Sequence, residues 1–120
     1  MGIEERLMAI LDKLGELRDI KGAAIANTEG FVIASRFFTP DFHEEKFAGM
    51  VSEAVAYSKR LLAEAGAGQM VSGILEGDKG KIALVVIGDF IIVILGGTEL
   101  NLGLTRALLQ ESARDLAQAS

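Results

Sequence analysis

The chain has 120 residues, 17 of them acidic and 12 basic, with one histidine, no cysteine and a formal charge of −5. A domain of that length buries roughly two-thirds of its unfolded surface, enough for a core of its own. Its basic residues are scattered rather than gathered on one face, which argues against a nucleic-acid partner, and the lack of cysteine removes disulfides, thiolate nucleophiles and cysteine-held metals.

Half of the residues are apolar and the mean hydropathy is +0.35, rich for a chain outside the membrane. Such a balance points to a well-covered sheet or to an apolar surface given to a partner. Glu4, Glu5 and Arg6 stand where a secretory leader needs apolar residues, and Arg6 takes the place of a myristoylation hydroxyl. The apolar run Ile82–Leu95 is broken by Gly88 and Asp89 and is too short to span a bilayer. The expectation is a cytoplasmic protein of one domain over residues 1–120, without membrane insertion.

In chain order, Ile3, Leu7, Ile10, Leu14 and Leu17 recur at three- and four-residue spacing and predict an amphipathic helix, with Gly22 marking its exit. Two strands, Ala23–Ala26 and Phe31–Ser35, flank Asn27-Thr28-Glu29-Gly30, whose Asn and Gly suit a tight reversal. A connection containing Pro40 leads to a helix over Asp41–Ala65, with Asp41 as its expected N-cap.

In that helix Phe47, Val51, Ala54, Ser58, Leu61 and Ala65 are expected to face the core, widened by Met50 and Tyr57 on one side and Val55 and Leu62 on the other. The opposite face carries Gly49, Ser52, Glu53, Ala56, Arg60 and Ala63. Small residues there admit a second helix, or else simply tolerate solvent. Gly49 costs about 1 kcal/mol inside a helix, which favours a close contact. On this reading Ala56→Arg breaks any helix pair.

Three strands follow: Gln69–Glu76, Lys81–Ile87 and Phe90–Leu95, the last two joined by the hairpin dipeptide Gly88-Asp89. Ile82–Ile87 and Ile91–Leu95 are apolar without alternation, so helices must lie on both faces of the sheet. A last helix starts within Thr98–Asn101 and presents Leu102, Leu109 and Leu116 on one stripe.

No motif carries chemistry. Gly73 to Lys81 is not a phosphate loop, because Leu75 replaces its first glycine and Ile82 its hydroxyl, and because Glu76 and Asp78 repel phosphate. Gly66 and Gly68 end a helix rather than open a dinucleotide site, and Gly96-Gly97 reads as a plain loop. His43 beside Asp41, Glu44 and Glu45 reads as an acidic helix start rather than a metal site. Ser35, Ser52, Ser58 and Ser72 have only His43 as a base, and adjacent carboxylates such as Glu44 and Glu45 do not converge. Arg36, Arg60, Arg106 and Arg114 are the candidates for an arginine finger. The chain is read as having no catalytic residue, cofactor or metal, and hence as not an enzyme.

Gly22-Ala23-Ala24-Ile25-Ala26-Asn27-Thr28-Glu29-Gly30-Phe31-Val32-Ile33-Ala34-Ser35 resembles the first hairpin of the Roadblock family, which includes the dynein roadblock light chains. Asn101-Leu102-Gly103-Leu104 with Leu108-Leu109 resembles the start of that family's last helix, and the order of elements agrees along the whole chain. The resemblance implies an α+β fold, an α/β/α sandwich on a five-stranded antiparallel sheet, with the first and third helices on one face and the second on the other. It also implies a homodimer or heterodimer in which second helices pair and sheets join through the third strand.

The expected dimer interface is Gly49, Ser52, Glu53, Ala56, Arg60 and Ala63 with Val71 and Gly73; Glu45, Lys59 and Arg60 are expected to contact a further partner. Family members serve as dynein light chains, as scaffolds holding Ras-like GTPases and, in bacterial polarity proteins, as activators of a small Ras-like GTPase without an arginine finger. The leading functional expectation is therefore a dimeric regulator of such a GTPase. The alternatives are a small-molecule sensor, disfavoured by the scarcity of polar groups on the strands, and a structural light-chain-type subunit.

Overall fold

The uninterrupted apolar strand near the end of the chain decides the architecture. The computed structural model describes residues 2–119. Its elements in order are helix α1 (Ile3–Leu14), strands β1 (Ile20–Asn27) and β2 (Val32–Phe37), helix α2 (Glu44–Glu64), strands β3 (Ser72–Glu76), β4 (Lys81–Ile87) and β5 (Phe90–Gly96), and helix α3 (Leu102–Ala119). All neighbouring strands are antiparallel, in the order β2-β1-β5-β4-β3. Strand β5 is central, and Ile91, Ile92, Val93 and Ile94 are each 0 % exposed. Burial of one such side chain contributes roughly 1.5–3 kcal/mol.

Alternation along β5 sends Ile92 and Ile94 to a core shared with Leu11 and Leu14 of α1 and Leu109 and Leu116 of α3. Ile91 and Val93 go to the opposite face, against Val51 and Val55 of α2, Ala24 and Leu84. The three-layer arrangement with α1 and α3 together and α2 alone is thus the one expected.

Several boundaries are corrected. Helix α1 stops at Leu14 and β1 begins at Ile20, earlier than expected, although Leu17 remains buried. Asp19 adopts φ 67° and fastens this turn to the chain ahead of α3: its carboxylate accepts the Glu99 N–H at 2.8 Å and its carbonyl the Gly97 N–H at 2.9 Å. A Cβ on Gly97 would lie 2.3 Å from that carboxylate, so the backbone approach needs glycine. Gly22 is no helix exit; it sits in β1 beneath the Phe37 ring.

The hairpin turn forms as expected, with the Asn27 side chain accepting the Glu29 and Phe31 N–H groups, both at 3.0 Å. Asp41 does not cap α2. It takes φ 60° after Pro40, and the helix starts at Glu44 because Phe42 must first stack on Phe37 at 4.4 Å and meet Phe47 edge-on. The Glu44 carboxylate accepts the Ser35 hydroxyl at 2.5 Å, tying α2 to β2. Helix α3 begins at Leu102, one residue past the expected range, and Asn101 within that range caps it, its side chain accepting the Leu104 N–H at 3.0 Å.

Thr105 of α3 is 0 % exposed and its hydroxyl has no hydrogen-bond partner among the described residues. A buried orphan hydroxyl costs about 1–3 kcal/mol. Thr105→Val keeps the shape and is expected to raise the unfolding free energy by about 1 kcal/mol in urea titration at fixed protein concentration.

Lys13 and Glu111 form an ion pair between α1 and α3. The hydrogen bond to Glu111 raises the Lys13 pKa above its ordinary value, and the bond to Lys13 holds the Glu111 carboxyl below its own. Glu111 therefore contributes stability above its unfolded pKa and loses it as pH falls through the lower folded value, while the Lys13 share is lost only in strong alkali. The difference in urea midpoint between Lys13→Met and wild type is expected to be small at pH 7, the pair being solvent-screened, and to vanish well below the ordinary carboxylate value of 4.5.

Candidate interaction surface

Helix α2 rests on the sheet along Ala48, Val51, Ser52 and Val55, which are buried, flanked by Phe47, Ser58 and Leu62, half-buried. This corrects the expected inward face. Ala54 and Ala65 are exposed, and Met50, Tyr57 and Leu61 are 62 %, 64 % and 59 % exposed. The apolar band on α2 is wider than the sheet can cover, and its β3-side half is left outside. Tyr57 is overlain by the Arg60 guanidinium at 5.2 Å from the ring centre.

Beside this half-band lies β3, whose only neighbour among the described residues is β4, so its other edge offers backbone groups that no described strand pairs. The register sets its side chains. Gly73 and Leu75 lie opposite Leu84 and Ile82, which belong to the α2-side core, so they share that face; Ser72 and Ile74 point to the other. Val71 and Leu75 are 64 % and 58 % exposed. Between helix and strand runs an open cleft of about 270 Å³, lined by Ala54, Ser58, Leu61, Met70, Gly73 and Leu75 among others. Met50, Ala54, Tyr57, Leu61, Leu75 and Val71 thus form an apolar surface beside a free strand edge.

The expected small-residue face is placed differently along its length. Ser52 is 8 % exposed and its hydroxyl donates to the Gly49 carbonyl at 2.9 Å. The hairpin turn closes over both: a Cβ on Gly30 (φ 96°) would stand 3.0 Å from Ser52 Oγ and 3.3 Å from Gly49 Cα. Ser52 serves a contact inside the chain, which corrects its assignment to the outward face, whereas Gly49 is half-buried and a Cβ there would meet nothing within 4 Å. Ala56 and Ala63 are exposed, but on the side of α2 away from β3. Glu53 and Arg60 are exposed along the margin of the Met50–Tyr57 band, Gly73 lies in β3, and Val71 immediately precedes it.

The residues expected to meet a further partner do not form one cluster. Lys59 lines a separate cleft of about 360 Å³ with Ala63, Met70 and Val86, while Glu45 lies about four turns away in the first turn of α2. Among the described residues no three His, Asp or Glu side chains gather as a metal site, and no helix is long and apolar enough to cross a membrane. Sequence reasoning missed Met50, Tyr57, Leu61 and Leu75 as surface residues. The available signal was the four-three-four spacing Met50, Ala54, Tyr57, Leu61, which marks a helix seam of its own beside the Ala48–Val55 line.

Residues 7–96 match the Roadblock/LC7 domain family. The protein MJ1340 of Methanocaldococcus jannaschii is 32% identical over 108 residues, 89% of this chain and 93% of that one. MJ0310 of the same organism is 33% identical over 105 residues, 87% and 90% of the two chains. Among solved structures, Myxococcus xanthus MglB superposes with a TM-score of 0.87 at 20% identity, covering 94% of this chain and 93% of its own. A Roadblock/LC7 domain from Streptomyces avermitilis does so with a TM-score of 0.82 at 11% identity, covering 98% and 97%. The chain belongs to the Roadblock/LC7 domain family.

Proposed function

We propose that this chain is a homodimeric, non-catalytic scaffold that binds and regulates a small Ras-like GTPase in the cytoplasm. The observation that carries the dimer is the exposed apolar surface of Met50, Tyr57 and Leu61 on α2, set beside Val71 and Leu75 at the open edge of β3. A second copy turned by a two-fold axis pairs β3 with β3 and buries the two α2 flanks together. That arrangement removes both the apolar exposure and the unpaired strand edges in one step. Self-association also accords with one of the MglB structures, which is a tetrameric arrangement.

The GTPase reading rests on family membership, since members hold Ras-like GTPases or activate one. Pairing through the β3-side flank leaves the opposite flank of each α2 open, with Lys59 beside Ala63 in its cleft. Binding there works by holding the partner's switch segments through contact, with no side chain donated to the chemistry.

The seam lies along Met50, Ala54, Tyr57 and Leu61 rather than along Gly49, Ala56 and Ala63. Light scattering after gel filtration is expected to give a dimer for wild type and for Ala56→Arg, and a monomer for Leu61→Arg with unchanged far-ultraviolet circular dichroism. A dimeric Leu61→Arg together with a monomeric Ala56→Arg would return the seam to the small residues. For the partner, a purified Ras-like GTPase encoded beside this chain's gene is expected to bind the dimer when loaded with a GTP analogue, and several-fold more weakly when Lys59 is changed to Glu. No binding at micromolar concentration would sink the GTPase assignment.

A further inference from the structure

We propose that Glu53 and Arg60 select the second copy, forming reciprocal ion pairs across an antiparallel contact between two α2 helices. The proposal rests on the self-association reading above and adds to it a register and a basis for choosing self over a relative.

The spacing Met50, Ala54, Tyr57, Leu61 is the alternation of fours and threes that lets one helix seam meet another. Along one margin of that seam, seven residues apart, stand Lys46, Glu53 and Arg60, all exposed. Along the other margin stand Val51, buried, and Ser58, half-buried, both turned toward the sheet. Charges at seam margins set partner choice and orientation in helix pairs. In a parallel pair the charged margin of one helix meets the Val51–Ser58 margin of the other and finds no counter-charge. In an antiparallel pair the two charged margins lie side by side.

The register follows from the sizes of the seam residues. Stacking Ala54 against Tyr57 of the second copy sets small against large, and the same register sets Met50 against its Leu61, two flexible side chains of similar size. That same register brings Glu53 opposite Arg60 of the second copy, and the two-fold axis repeats the pair. Two observations favour it. Arg60 already leans over the Tyr57 ring toward the seam, 5.2 Å from its centre. The ion pairs among the described residues are Lys13–Glu111 and Arg36–Asp12, so neither Glu53 nor Arg60 is ion-paired there.

Charge exchange in the full chain tests this. Glu53→Arg alone, or Arg60→Glu alone, sets like charges together at both symmetric positions, and each is expected to raise the dimer dissociation constant about tenfold or more. Mixing the two variants gives a heterodimer in which both pairs are attractive again, and native mass spectrometry is expected to find it in preference to either homodimer. The double variant Glu53→Arg/Arg60→Glu is expected to regain the wild-type homodimer, and the single-variant losses are expected to shrink in 1 M salt. A monomeric wild type overturns the self-association reading itself. A dimeric wild type whose single exchanges dissociate no more readily, or whose mixture regains nothing, overturns this pairing and leaves the dimer standing. Circular dichroism on each variant separates lost association from lost folding.

Discussion

Everything in this molecule follows from a central strand that cannot face water on either side. Ile91 to Val93 and Ile92 to Ile94 send fully buried side chains to opposite faces of β5, so both faces of the sheet need a helix layer. Three helices must divide between two faces. Helices α1 and α3 cover one, and α2 is left alone on the other. Five strands at about 4.8 Å spacing extend well beyond the width of one helix, about 10 Å. A lone helix running from β2 across β1 and β5 to β4 therefore leaves the β3 side uncovered, and the apolar surface there is a consequence of helix count before it is a feature of any residue.

That origin also explains what the surface has to offer a partner. The uncovered region couples an apolar helix flank to an open strand edge, two features that a single chain usually hides. Its charged residues stand at the margin, where they tune recognition without having to be desolvated at its centre.

The order of elements, the hairpin turns and the two-sided sheet were legible in the sequence because each rests on local signals: Asn27 to Gly30, Gly88-Asp89, and the non-alternating run of β5. The facing of α2 was not. Its apolar band runs from Met50 and Leu61 around to Val55 and Leu62, too wide for one contact, and periodicity alone does not say which half meets the sheet. The decision came from long-range packing of Val51 and Val55 on Ala24, Leu84, Ile91 and Val93. Ser52 misled for a related reason: its side chain is taken up by the Gly49 carbonyl and the hairpin turn at Gly30, contacts that no helix periodicity encodes. Asp41 and Gly22 misled because the Phe37, Phe42 and Phe47 rings claim space that the backbone then has to accommodate.

The position of β5 in the chain has a consequence in time. The middle of the sheet is the last strand to be made: Ile25 of β1 lies opposite Ile92, and nothing earlier in the sequence takes that place. During synthesis the first hairpin therefore waits with one side open until residues 90–96 leave the ribosome, and the fold closes by threading its core in last. Pairings so distant along the chain slow folding and prolong the exposure of unpaired strands. The same uninterrupted apolar run that makes the finished sheet secure makes the nascent chain the most vulnerable form this protein takes.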